Sequence, residues 1–350
     1  MIKYYTRACN FYYGSASREK IQKKLSLPIS GNNLISFDNI EIITRKYKKK
    51  IHISEIKNQN NIIKKKIKKD IKLIIGKKKF KGLNFSNFPI LMGIINLTPD
   101  SFSDGGKFNK FILARRQINK LIKDGANIID VGGESTRPGS EEVNQYKEWN
   151  RIKNSVKYLK GKNFFVSIDT RKSFVMKQAF NYKLNLINDV SGLSHDKDTI
   201  NFLKKTKLPF VLHHLRGKPK TMQINPNYKN VLLDIYDYFE EKLEYIRRKG
   251  IKHNNIILDP GIGFGKNLKH NITLINNISI FHSLGFPIML GLSRKKFIKE
   301  ISGLNDSKDR IGGTISSCIF SMLQGVQILR IHDVNEVKQG IKVFNKLQNN

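Results

Sequence analysis

The chain has 350 residues, is 39% hydrophobic, and carries 64 Lys/Arg against 28 Asp/Glu for a net charge of +36. That hydrophobic share excludes a disordered polyelectrolyte, the length allows a sizeable core, and the absence of any apolar run near ~18 residues predicts a soluble protein without a membrane span. Cys9 and Cys318 are the only cysteines; they give neither a disulfide framework nor a zinc spacing, and they suit a reducing, cytoplasmic compartment.

Residues 1–88 hold 22 Lys/Arg and 5 Asp/Glu, so 17 of the 36 net positive charges fall in the first quarter of the chain. The runs Lys48-Lys49-Lys50, Lys64-Lys65-Lys66, Lys68-Lys69 and Lys77-Lys78-Lys79 lack interleaved aromatics and any nucleic-acid motif. With Lys, Asn and Ile abundant throughout, they read as solvated faces, and nucleic acid is not the expected partner. The first 20 residues are poor in acids, as a transit peptide is, but lack its Arg/Ser-rich amphipathic repeat. Residues 34–43 and 51–56 read as strands and 60–75 as a basic helix. Residues 1–88 are thus expected to form a small, basic, partly folded α/β extension.

Residues 89–350 are regular. Eight apolar, β-branched runs occur at 90–97, 127–131, 164–168, 184–187, 210–212, 256–258, 288–292 and 326–331, each followed by a segment that can be helical. The clearest helices are 109–123, 142–159 and 228–248. Eight βα units in 262 residues predict an α/β protein of the (β/α)₈ TIM-barrel class, for which about 250 residues are typical. A doubly wound open sheet would call for a Gly-rich fingerprint after its first strand, and none is present.

Barrel chemistry sits at the carboxyl ends of the strands. There the sequence places Asn96, Thr136-Arg137-Pro138 after Gly132-Gly133-Glu134, Asp169-Thr170-Arg171, Asn188-Asp189, His213-His214, Asp259-Pro260-Gly261, Ser293-Arg294-Lys295, and Arg330 with His332-Asp333. Asp169, Asn188, Asp259 and Lys295 mix donors and acceptors suited to an aminopyrimidine-like edge. Asn96, Thr136, Arg137, Arg330 and His332 are neutral or cationic and suit phosphate oxygens. Arg330 and His332 are two apart on a strand and share a face, so together they call for an anion. Asn96 offers a hard amide ligand to a cation that completes its shell with water and substrate oxygens, which points to Mg²⁺. Asp169 or Asp259 can also serve as a helix cap, and His214 as a core histidine.

GIINLTPDSFSDGG (93–106) and GANIIDVGGESTRPGS (125–140) resemble the two signature segments of the dihydropteroate synthase family. The resemblance continues through SIDT (167–170), INDVSG (187–192), LDPGIGFGK (258–266), GLSRK (291–295) and LRIHDV (329–334), and covers 89–347 in order. It implies condensation of 6-hydroxymethyl-7,8-dihydropterin pyrophosphate with 4-aminobenzoate to 7,8-dihydropteroate and pyrophosphate, in folate biosynthesis. By similarity Asp169, Asn188, Asp259 and Lys295 hold the pterin, while Asn96, Arg330 and His332 hold the pyrophosphate with Mg²⁺ at Asn96. Thr136, Arg137 and Pro138, with Phe264 and Lys295, shape the aminobenzoate site. The family also implies a homodimer.

Two departures stand out. His213-His214-Leu215 replaces a Met-His-Met common in the family, so the wall against the pterin changes, and Lys296 stands where Ser is common. A pterin-dependent methyltransferase has no need of the Ser-Thr-Arg-Pro loop or of the Arg330/His332 pair. A non-catalytic nucleic-acid-binding protein would not keep polar residues at every strand end.

Overall fold

The structure, a computed structural model, describes residues 2–85, 88–98, 107–135, 140–217 and 221–348. The amino-terminal region is an antiparallel sheet with two helices: β1 (Tyr5–Tyr13), α1 (Gly14–Gln22), β2 (Leu27–Ile29), β3 (Asn32–Ile43), β4 (Lys48–His52) and α2 (Asn61–Ile75). The long β3 pairs with β1 along one edge, and with β2 and then β4 along the other. Helix α2 begins where Asn60 accepts the Ile63 N–H, and it buries Ile67 and Ile74 while its lysines face outward.

One expectation for this region needs correction. The strand read at 51–56 ends at His52, the last residue paired with β3; Ile53–Asn58 is a 3₁₀ turn whose Ser54 N–H is captured by the His52 ring. The acid-poor start is folded, since Tyr5, Ala8 and Tyr13 on β1 are buried.

The region packs on the flank of the second unit. The Tyr5 ring stands edge-on to Tyr236 at 5.2 Å, and Lys3 and Arg45 bind Asp237 at 2.6 Å each. Inside the contact, Ser279 Oγ donates to the Ala8 carbonyl at 2.9 Å and Gln327 Nε2 to Ser30 Oγ at 3.0 Å, both buried. One continuous apolar cluster runs from Tyr5, Phe37 and Ile74 to Ile278 and Phe281.

The second unit alternates strands and helices: β5 (Ile90–Asn96), α3 (Lys107–Asp124), β6 (Ile128–Gly132), α4 (Gln145–Gly161), β7 (Val166–Asp169), α5 (Ser173–Phe180), β8 (Leu186–Asp189), α6 (Thr199–Thr206), β9 (Phe210–His213), α7 (Val231–Arg248), β10 (Ile256–Asp259), α8 (Leu268–Asn276), β11 (Met289–Gly291), α9 (Lys296–Ser302), α10 (Ile311–Met322), β12 (Ile328–Ile331) and α11 (Val334–Leu347). The strands are all parallel, in the order β10-β9-β8-β7-β6-β5-β12-β11. A Leu258–Ile288 bridge, with Leu258 N–H on the Pro287 carbonyl at 2.9 Å, joins the ends into a barrel. Continuous apolar runs form these strands because helices cover them outside and side chains fill them inside.

The interior has its own apolar cluster. Ile90 and Met92, Ile128, Leu186, Val211, Ile257, Met289 and Ile328 meet there, joined by Phe80 and Phe85, whose rings pack edge-on at 5.8 Å. These aromatics come from the connection between α2 and β5, so the end of the extension plugs the amino-terminal mouth of the barrel. Chemistry is thereby confined to the opposite mouth.

Candidate functional site

Side chains two residues apart on a strand share a face, about 6.7 Å apart. Two residues beyond the apolar layer the same face turns polar: Ile128 leads to Asp130, Leu186 to Asn188, Val211 to His213, Ile257 to Asp259 and Ile328 to Arg330, with Asp169 following Ser167 on β7. Strands β7, β9 and β10 run one residue beyond their apolar runs and β8 two, so Asp169, Asp189, His213 and Asp259 are last strand residues. A small pocket there is lined by Asn188, Val190, His213, Asp259, Ile262, Phe264, Gly291, Lys295 and Arg330.

Arg330 organises one side of it. Its Nε donates to Asp130 Oδ2 at 2.7 Å and its Nη2 to Asp169 Oδ2 at 2.6 Å; Asn188 Nδ2 also donates to Asp130 Oδ2, at 3.0 Å. The anion that a strand-face arginine demands therefore comes partly from within the protein. Burial opposes the Arg330 charge, but Asp130 and Asp169 outweigh it and raise its pKa. Asp169 is pushed up to about 7, by burial first, against the pull of Arg330. Oxygens Asp130 Oδ1, Asp169 Oδ1 and Asn188 Oδ1 are buried without a hydrogen-bond partner. A buried acceptor left open at a pocket is a place for a ligand N–H.

Across the pocket, Asp259 Oδ1 accepts the Gly261 N–H at 2.8 Å, and burial pushes its pKa up to about 6. Lys295 is the residue before α9, and its Nζ lies 4.2 Å from the centre of the Phe264 ring. Burial brings Lys295 down to about 8, with Asp259 opposing. Phe264 rides on a loop in which Gly261 and Gly263 have φ of +69° and +81°; a Cβ at Gly261 would stand 2.1 Å from the His214 carbonyl oxygen. Buried Lys266 ties that loop down, donating to the Gly261 and Phe264 carbonyls at 2.9 and 2.8 Å and contacting His214 Nδ1 at 3.0 Å.

Asn96 lies at the rim. A Cβ on Gly132 would come within 3.5 Å of Asn96 Oδ1 and 3.7 Å of Asp169 Oδ2, so the glycine leaves a gap bordered by both oxygens. No three His, Cys, Asp or Glu side chains converge as a metal cage among the described residues. A hard amide oxygen beside an open space fits an ion that takes its remaining ligands from water and substrate. His332 sits beside Ser293, with Nδ1 and Ser293 Oγ 3.1 Å apart. Thr136, Arg137 and Pro138 lie outside the described residues.

Several rim residues serve the scaffold. Glu134 accepts from Arg171 at 2.9 Å and Lys172 at 2.5 Å, and Lys172 also binds the fully buried Glu148 at 2.6 Å. Arg294 Nε binds Asp333 at 2.9 Å, and exposed Lys296 pairs with Glu300 at 3.3 Å. His214 is a core histidine, edge-on to Tyr238 at 4.8 Å. Sequence reasoning missed Asp130 and Lys266 as parts of the site. A charge inside the run Ile128-Ile129-Asp130-Val131 was the available signal, since a strand buried on both faces tolerates a carboxylate only when it is paired.

A parallel barrel with open buried acceptors and two cations at its carboxyl mouth defines a (β/α)₈ enzyme for a polar heterocycle. Residues 92–332 match the family of pterin binding enzymes. Dihydropteroate synthase of Escherichia coli (strain K12) is 39% identical over 256 residues, covering 73% of this chain and 90% of that protein. The crystal structure of Yersinia pestis dihydropteroate synthase in a sulfonamide drug complex superposes with a TM-score of 0.72 at 36% identity, covering 78% of this chain and 99% of the other. Xanthomonas albilineans dihydropteroate synthase, solved with 4-aminobenzoic acid, gives 0.71 at 32%, covering 76% and 95%. The chain belongs to the dihydropteroate synthase family.

Proposed function

We propose that this chain condenses 6-hydroxymethyl-7,8-dihydropterin pyrophosphate with 4-aminobenzoate, releasing 7,8-dihydropteroate and pyrophosphate. The observation that carries the reading is the open acceptor set at the barrel mouth, set beside the two cations. Asp169, Asn188 and Asp259 accept the N–H groups of the pterin edge, and Lys295 donates to its ring oxygen and nitrogen. Arg330, through the nitrogen it does not spend on Asp130 and Asp169, joins His332 at the pyrophosphate.

The arylamine is a neutral nucleophile and needs no strong base. Its nitrogen attacks the pterin methylene, the C–O bond to pyrophosphate breaks, and the amine proton leaves to solvent. The protein's work is to stabilise departing negative charge at one end of the ligand and developing positive charge at the other. Asn96 would hold Mg²⁺, and the ion would supply charge neutralisation to the leaving group. Thr136, Arg137 and Pro138 complete the aminobenzoate site with Phe264 and Lys295 and exclude water.

We further read residues 1–88 and 89–350 as an extension and a catalytic barrel, the enzyme as cytoplasmic, and its assembly as a homodimer. Among the described residues no helix is long and apolar enough to cross a membrane. The test is product formation from the two substrates, with and without Mg²⁺, for wild type and Asp259→Asn. Dihydropteroate that depends on Mg²⁺ and falls at least about 100-fold in kcat/KM in the variant is the expected result, as losing about 3 kcal/mol of charged hydrogen bonding gives. Folded, pterin-binding wild type that makes no product would sink the reading.

A further inference from the structure

His213 is 3% exposed and lines the pocket, with the Val190 backbone as a polar neighbour. Nδ1 is buried without a partner, and Nε2 is 3.8 Å from Asp259 Oδ2, beyond hydrogen-bond reach. The ring is held edge-on to Phe264 at 4.9 Å and 88°, and its Cε1 closes against Gly261, where a Cβ would stand 2.9 Å away. A buried imidazole fixed in place by packing, with one ring nitrogen left open, is costly unless something else completes it.

We infer that His213 is a substrate-binding residue: its imidazole, together with Asp259, forms a paired polar contact for the edge of the bound heterocycle. A neutral imidazole offers one N–H and one lone pair, where a carboxylate offers acceptors alone. The ring is neutral here, because burial first, then Lys266, Lys295 and Arg330, hold its pKa well below the ordinary value. His213 beside Asp259 thus presents a mixed donor and acceptor pair, which matches a ring edge carrying an N–H next to a ring nitrogen or carbonyl. An aliphatic or thioether side chain at this position would pack against the same ring with no polar contribution.

This inference rests on the proposed pterin substrate, and the test separates the two. Full-length wild type, His213→Met and His213→Gln are compared for binding of 6-hydroxymethylpterin by calorimetry and for steady-state turnover. The Met variant keeps the volume and removes the polar atoms, whereas Gln keeps a donor and an acceptor. His213→Met should weaken pterin binding about tenfold, as losing one hydrogen bond to a buried ligand does. Gln should recover most of that, and the loss in turnover should fall on KM for the pterin substrate rather than on KM for 4-aminobenzoate. Binding by the Met variant within twofold of wild type, or equal losses in Met and Gln, would overturn the role. Wild type that binds pterin but makes no dihydropteroate would overturn the reaction and leave the binding comparison standing; wild type that binds no pterin would overturn both.

Discussion

Replacing Arg330 with Met removes the cation between Asp130 and Asp169 and leaves an apolar chain of similar reach. Both carboxylates are at least 95% buried, so little water can take over its role. Breaking a buried pair of this kind costs about 3–5 kcal/mol, and part of that cost depends on pH. Asp169 has a folded pKa of about 7 against 3.8 for a free carboxyl. An acid with a raised pKa favours the folded state at low pH, where only the fold retains the proton; that advantage is lost as pH climbs to about 7 and is constant above. Without Arg330 the folded pKa moves higher still, and the loss continues past 7. One proton is worth about 1.4 kcal/mol per pH unit, so between pH 6.5 and 8.5 the variant falls about 2 kcal/mol further behind wild type. The assay is urea unfolding of both proteins at the two pH values, followed by circular dichroism. A penalty that is independent of pH, or larger at pH 6.5, would refute the claim that Arg330 neutralises this pair.

Three further outcomes follow from the same geometry. kcat/KM should rise as pH climbs through about 6 to 7, where Asp259 and Asp169 ionise, and fall above about 8 as Lys295 loses its charge; a flat profile from pH 6 to 9 would contradict it. Phe85→Ala opens a hole in the plug and should cost about 3–5 kcal/mol in denaturant unfolding, without changing KM for either substrate. Deleting residues 2–76 should yield aggregated protein on size-exclusion chromatography, because it uncovers Ile278, Ile280 and Phe281, all fully buried in the intact chain; a soluble, active barrel would show the extension to be dispensable.

The barrel was legible because its strands are largely apolar runs, five of the eight ending in a polar residue. Asn188 and Asp259 could be placed at the mouth from that pattern alone, since a polar side chain directly after a buried run sits where the strand meets solvent or ligand. Asp130 was not, because it stands inside its run, and only the three-dimensional approach of Arg330 from β12, two strands away, explains it. Lys266 was hidden for a similar reason: its partners are carbonyls of its own loop, and side-chain identity says nothing about them. The amino-terminal strand escaped notice because Arg7, Cys9 and Asn10 interrupt its alternation, while the residues that bury it belong to α7 and the turn near Ile278, more than 200 positions away.

These particulars bear on how the two mouths of the barrel differ. At the amino-terminal mouth Phe80 and Phe85 close a layer that is hydrocarbon and thioether apart from the Ser167 hydroxyl. One pleat further, carboxylates on three strands face Arg330 and Lys295, and two of their oxygens have no partner. A core selected for stability alone would satisfy those oxygens or replace them with apolar groups, because each open one costs about 1–3 kcal/mol. Such a cost has to be met by packing elsewhere, and the fold has two apolar clusters, one shared with the amino-terminal region and one inside the barrel. The amino-terminal quarter of the chain carries none of the family's motifs, and it meets the barrel through packing on the flank and at the amino-terminal mouth.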